Sequence, residues 1–122
     1  MSKDLYERAV AISQRAYAPY SNYLVGAAVR TRDGKVFEGV NVENAAYPLG
    51  ICAEKAALAM AVSEGYKPGD IAAIGITASP CGGCRQWLYE FKIDEITFLN
   101  AHGDLATYSA ADLLPDTWDL PS

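Results

Sequence analysis

Three cysteines and one carboxylate set the tightest constraint on how this 122-residue chain can fold. Cys52-Ala53-Glu54 and the later run Pro80-Cys81-Gly82-Gly83-Cys84 are well separated in sequence, yet together they form a three-thiol metal-ligand set with an acid beside it. For that set to act, the two segments must meet in space. Three thiolates give Zn²⁺ three protein ligands and leave its fourth tetrahedral position free, which separates catalytic zinc sites from closed structural ones. Glu54 is then placed to move protons. Read singly, Cys81 and Cys84 also fit two small buried thiols at helical spacing, and Glu54 an ordinary acid in a first helical turn. A redox pair would need neither Cys52 nor Glu54. The spaced set as a whole favours metal.

The pattern of apolar residues supplies elements able to bring the segments together. Leu5, Tyr6, Ala9, Val10, Ile12, Ala16 and Tyr17 recur at spacings of three and four, which predicts an amphipathic helix over Lys3 to Tyr17, ended by Pro19. Leu24 to Thr31 and Val36 to Val42 read as strands joined by a turn at Arg32-Asp33-Gly34-Lys35, Asp-Gly being a favoured hairpin signal. Cys52 to Glu64 is rich in alanine and apolar nearly all round, so a helix is expected there, stopped by Gly65 and buried at the centre. Ile71 to Ala78 reads as a strand covered on both faces, Gln86 to Phe91 as a shorter helix, and Glu95 to Leu99 as another strand. Ser109 to Leu114 reads as a final helical turn capped by Ser109 and stopped by Pro115. This order implies a sheet with helices on both faces and both cysteine segments at neighbouring helix N-termini.

Composition narrows the function classes. The length suits a single domain over residues 1–122, and about half the residues are apolar. The formal charge is −5 and no basic run occurs, which argues against a nucleic-acid partner but leaves an uncharged nucleoside open. The first residues, Met1 to Glu7, mix both charge signs without a signal-peptide core, and no apolar run reaches membrane-spanning length. A cytoplasmic protein without a membrane partner is expected, and three cysteines suit a reducing compartment.

Other residues carry weaker signals. Alternation puts Asn41 and Glu43 on one face, where they could clamp a pair of hydroxyls or simply serve as turn residues. His102, between Asn100 and Gly103, suits a loop better than a metal site. Trp118 is either a core anchor or a lid over a neighbouring subunit. Three thiolates around Zn²⁺ sum to minus one, which weakens the metal's pull on water. Helix N-termini, with Lys55 or Arg85 as added cations, are the available compensation.

Across nearly its whole length the chain resembles the small zinc-dependent cytidine deaminases that form homotetramers. The resemblance rests on Ala18-Pro19-Tyr20-Ser21-Asn22-Tyr23, Val25-Gly26-Ala27-Ala28, Asn41-Val42-Glu43-Asn44-Ala45, Cys52-Ala53-Glu54, Pro80-Cys81-Gly82-Gly83-Cys84-Arg85-Gln86 and Leu113-Leu114-Pro115. The Glu beside a ligand and the Pro-Cys-x-x-Cys run resemble the signature of zinc deaminases that act on nucleobases. The resemblance implies a three-layer α/β/α sandwich with a five-stranded mixed sheet, one Zn²⁺ per subunit, and active sites shared within a homotetramer. It also implies hydrolytic deamination of cytidine and 2′-deoxycytidine to uridine and 2′-deoxyuridine, a step of pyrimidine salvage.

By the same resemblance Cys52, Cys81 and Cys84 match the zinc ligands and Glu54 the proton shuttle. Asn41 and Glu43 match the ribose 3′-hydroxyl contacts, Tyr23 an aromatic against the nucleoside, and Ala53 a substrate-binding residue. Tyr47 and a C-terminal aromatic, here Trp118, match residues that reach a neighbouring subunit's site. Tyr23, Lys55 and Trp118 stand where the family usually has Phe, Arg and Phe. The implied chemistry uses water whose pKa zinc lowers towards about 7; Glu54 takes its proton, C4 of the cytosine ring is attacked, and Glu54 returns protons to N3 and the leaving amine. One rival is a deaminase of a related aminopyrimidine nucleoside, as in blasticidin S deaminases. Another is a zinc-stabilised binding module without catalysis, which leaves Glu54 and the open fourth position unexplained.

Overall fold

The computed structural model describes residues 2–121. Its elements run α1 (Lys3–Ser13), β1 (Gly26–Thr31), β2 (Val36–Val40), α2 (Ala53–Ser63), β3 (Ile71–Ile76), α3 (Gly82–Glu90), β4 (Glu95–Leu99), β5 (Leu105–Tyr108) and α4 (Ala110–Leu113). A short 3₁₀ turn at Tyr47–Leu49 precedes α2. The five strands form one sheet in the order β2-β1-β3-β4-β5. Only β3 and β4 pair in parallel; β1 is antiparallel to both its neighbours, and β5 to β4. The sheet is therefore mixed and five-stranded, as the resemblance implies.

Alternation along β1 assigns the two layers. Ala27 and Val29 join a large core with Ala53, Ala57 and Leu58 of α2 and Leu88 of α3, whereas Ala28 faces the other way onto Leu5 of α1. Helix α1 thus covers one face, and α2 and α3 the other. Three glycines let helix backbone lie directly on the sheet, and a Cβ at the first, Gly26, would fall 2.1 Å from the backbone oxygen of Ala9 in α1. A Cβ at Gly75 would fall 2.3 Å from the backbone nitrogen of Tyr6 in α1, and one at Gly39 would fall 2.4 Å from that of Ala57 in α2. Gly39 matters most here, because the contact fixes how close the first turn of α2 comes to the strands.

Local reading of the sequence is corrected at four places. Helix α1 stops at Ser13 rather than Tyr17, because Tyr17 leaves to pair with Val42 in a parallel bridge, donating to Asn41 O at 3.1 Å and accepting from Glu43 N at 2.8 Å. Helix α3 begins at Gly82, not Gln86, so both cysteines of the pair lie in its first turn or cap. Strand β5 was not legible as a strand; it is a short, partly exposed edge. Helix α2 is not buried all round, since Met60 is 51% and Val62 38% exposed.

The remaining signals hold. Gly34 takes a positive φ of 95° at the hairpin, and Gly65 one of 101° just beyond α2. Ser109 and Asp112 form a reciprocal capping box on α4. His102 lies exposed in a turn, its N–H on Asn100 Oδ1 at 2.9 Å.

The Gly39 contact predicts that Gly39→Ala destabilises the protein by about 1–3 kcal/mol through overpacking. Gly82→Ala, whose added Cβ meets nothing within 4 Å, should change stability by less than about 1 kcal/mol. Urea unfolding of both variants beside the parent measures the difference.

Candidate metal centre and adjoining cleft

The two cysteine segments meet because α2 and α3 lie side by side on one face of the sheet and each begins at a cysteine. Cys52 is the N-cap of α2 and Cys81 the N-cap of α3, both in extended conformation. Cys84 follows one turn into α3 and is buried. The three Sγ atoms lie within 4.8 Å of one another. Zinc bound at about 2.3 Å by three tetrahedrally placed thiolates needs sulfurs roughly 3.8 Å apart. The donor set and its spread therefore fit one Zn²⁺, and the chain's cofactor is zinc.

Glu54, in the first turn of α2, is 4% exposed. Burial pushes its carboxyl above the usual range, opposed by its own backbone N–H, the Cys84 thiol and the Lys55 charge. Burial also raises Cys84 and Cys52, with the Glu54 charge adding to both. Cys81 is shifted the other way, lowered first by the N–H of Cys84, then by the Cys84 thiol and the N–H of Gly83. The amides that open α3 thus favour a thiolate at Cys81.

These groups form one wall of a cleft of about 310 Å³. It is lined by Cys52, Ala53, Glu54 and Cys81 on the helix side and by Tyr23, Asn41, Glu43 and Tyr47 on the other. The structure thereby assembles eight of the sequence-derived site residues around one space. Asn41 and Glu43 flank Val42 just beyond the end of β2, and both are already engaged. Asn41 accepts from Val25 N at 2.9 Å and donates to Tyr23 O at 2.9 Å. Glu43 accepts from Tyr20 N at 2.9 Å, from Ser21 N at 3.1 Å and from the Ser21 hydroxyl. That hydroxyl, ahead of the two amides, holds the Glu43 carboxyl below its ordinary range. Tyr23 is exposed, so its hydroxyl needs no buried partner. Tyr47 packs edge-on to Tyr20 with ring centroids 5.8 Å apart.

Trp118, Lys55 and Arg85 lie away from this cleft in their own chain, and Ser79 joins it with little signal in the sequence. Trp118 does not reach this cleft in its own chain; it borders a separate apolar cavity with Ala59, Val62, Trp87 and Phe91. Lys55 and Arg85 are committed away from the sulfurs. Lys55 Nζ lies 5.7 Å above the Trp87 ring, and the Arg85 guanidinium bonds Pro80 O, Leu113 O and Ser79 Oγ. Ser79 also lines the cleft, and only its place next to Pro80-Cys81 hinted at that.

Replacing Cys84 by Ala should abolish stoichiometric zinc binding, and replacing the exposed Cys81 by Ala should do the same. Zinc quantified per chain by atomic absorption checks this; full occupancy in either variant would remove that residue from the ligand set.

Comparison with known proteins agrees with this geometry. Residues 1–100 match the family model described as the cytidine and deoxycytidylate deaminase zinc-binding region. A cytidine deaminase of Halalkalibacterium halodurans is 41% identical over 119 residues, spanning 91% of this chain and 89% of that protein. A probable cytidine deaminase of Dictyostelium discoideum is 44% identical over 107 residues, spanning 84% of this chain and 73% of that protein. Among solved structures, a cytidine deaminase of Burkholderia pseudomallei superposes with a TM-score of 0.88 at 47% identity, covering 97% of this chain and 99% of its own. With the thiols, the buried acid and the sheet topology in agreement, this chain belongs to the cytidine and deoxycytidylate deaminase zinc-binding family and is an enzyme of it.

Proposed function

We propose that the whole chain is one catalytic domain that hydrolyses cytidine and 2′-deoxycytidine to uridine and 2′-deoxyuridine. The observation that carries this is the single cleft shared by Cys52, Cys81, Glu54, Asn41 and Glu43. A water-activating wall faces a wall of hydroxyl-binding groups, which suits a base attached to a sugar. Cys52, Cys81 and Cys84 hold the zinc, which when bound supplies the Lewis acidity that makes water nucleophilic near neutral pH. Glu54 does the proton work. A buried carboxyl whose proton affinity is raised can take the proton from water and return it in the same site. In balance, a C4–O bond forms, the C4–N4 bond breaks, and Glu54 passes the water's protons to N3 and to the departing ammonia.

Asn41 and Glu43 orient the sugar with the hydrogen-bonding capacity left after their bonds to the loop. Glu43 stays ionised and accepts from a ribose hydroxyl. Tyr23 flanks the nucleoside, and Ala53 at the start of α2 backs the base. The reaction suits pyrimidine salvage in the cytoplasm; no helix among the described residues is long and apolar enough to cross a membrane.

Assembly into a homotetramer with shared sites is supported by the outer face of α2 and α3. Trp118 is 67% exposed there and lines a cavity of about 620 Å³ with Val62 and Trp87. An aromatic side chain this exposed near the chain end is available to a neighbouring copy.

Glu54→Gln should keep zinc and fold but lower turnover of cytidine by at least about 10²–10⁴-fold, the usual worth of a general acid-base group. Ultraviolet absorbance with cytidine, deoxycytidine and N4-substituted or antibiotic analogues reads it; near-normal activity of the variant sinks the Glu54 assignment. If only the analogues are deaminated by the parent, the substrate class is wrong. Sedimentation should show a tetramer, and an active monomer would defeat the shared sites.

A further inference from the structure

Arg85 follows the last cysteine directly, and its guanidinium gathers three oxygen acceptors, two from Ser79 and Pro80 just before Cys81 and one from the end of α4. Nε donates to Pro80 O at 2.8 Å, Nη2 to Ser79 Oγ at 3.2 Å and Nη1 to Leu113 O at 3.0 Å. Its backbone N–H donates to Cys81 O at 2.9 Å. One residue therefore holds the approach to Cys81 from the side chain and Cys81 itself from the main chain. It also ties both to the end of α4, whose own start is fixed by the Ser109 and Asp112 capping box. Gln86 extends the tie, its Nε2 donating to Trp118 O at 3.3 Å.

We propose that Arg85 is a positioning residue that clamps the Ser79-Pro80-Cys81 segment and so determines how long the protein retains zinc. The inference rests on the proposed ligand set. Cys81 needs such a clamp more than its fellow ligands. It is the exposed cysteine of the three, and it caps a helix that opens with Gly82-Gly83, whose backbone is costly to order. Cys52 is instead carried by a helix pressed onto Gly39, and Cys84 is buried. The three side-chain acceptors diverge, so a planar fork with separated N–H groups can serve all of them. A lysine ammonium cannot.

The experiment compares the parent with Arg85→Lys and Arg85→Gln, following zinc transfer to the chromophoric chelator 4-(2-pyridylazo)resorcinol. Zinc content, circular-dichroism melting, kcat and KM are recorded on the same samples. Both variants should release zinc about 10–100-fold faster, the range typical for lost outer partners of metal ligands. kcat should fall in step with zinc content, and KM for cytidine should stay near the parental value under zinc saturation. Parental release from Arg85→Lys would show that charge alone suffices and overturn the clamp; parental release from Arg85→Gln would overturn any role at the site.

Two further variants keep the test decisive should Arg85→Gln fold poorly. Ser79→Ala removes one acceptor and should accelerate release only a few-fold; no acceleration counts against the clamp. Arg32→Lys alters a guanidinium bonded to Gly69 O at 2.7 Å on a remote loop and should leave release unchanged. Equal acceleration there would mean general loosening and overturn the proposal. A parent that holds no zinc would defeat the ligand set, and the clamp with it.

Discussion

Two helices that start at the same point on one sheet face make everything else in this protein possible. The position is set by backbone contact rather than by side-chain fit alone: at Gly39 the sheet offers no Cβ, and the first turns of α2 settle against it. Because α2 and α3 share that layer and both begin at a cysteine, three sulfurs converge within 4.8 Å. Without a metal such a cluster is unfavourable to ionise. Burial raises Cys52, Cys84 and Glu54 together, the Glu54 charge adds to the rise at both cysteines, and Cys81 is lowered, first by the N–H of Cys84. A divalent cation removes the conflict, since it favours each thiolate and faces the carboxylate at once.

The opposite wall of the cleft is ordered before any ligand arrives. Asn41 acts as a substitute strand partner where β1 has not yet begun, its carboxamide bridging Val25 and Tyr23. Glu43 gathers Tyr20 and Ser21 through a turn in which Asn22 takes a positive φ of 58°. These bonds fix the direction of both head groups, so little rotamer freedom remains to be lost when a sugar binds. The same residues thus shape a loop and present polar atoms to a ligand, which is why a site role and a turn role could not be told apart in the sequence.

How much was legible depended on whether the cause of a feature was local. The thiols and Glu54 could be read because zinc chemistry demands those residue types at short spacings, and the Asp33-Gly34 hairpin and the Ser109 cap because turn and cap chemistry is local. The end of α1 could not, since its periodicity continues to Tyr17 and only a tertiary bridge to Val42 draws the chain away. Strand β5 lacks a strong apolar alternation because it is a short edge with one partner. The start of α3 was hidden by Gly82 and Gly83, poor helix formers that the fold nevertheless places in a first turn. Cations were the least legible, since charge and proximity in sequence said nothing of Lys55 resting over Trp87 or of Arg85 reaching Leu113.

With those cations engaged elsewhere, the excess negative charge of three thiolates on one zinc falls to the helix starts themselves. Neither Cys52 nor Cys81 makes a side-chain capping bond. A Ser or Asp in either place would stabilise its helix by about 0.5–2 kcal/mol by accepting a first-turn N–H. It would also remove the sulfur that stands at that helix start. At α3 the consequence is direct, because the N–H groups of Gly83 and Cys84 lower Cys81. The absent cap is therefore better understood as a transfer of amide donors from helix stability to thiolate stability. Gly82 and Gly83 leave the sulfur side of that turn open: a Cβ on Gly82 would meet nothing within 4 Å, and one on Gly83 would make only an ordinary contact with the Cys81 sulfur at 3.9 Å.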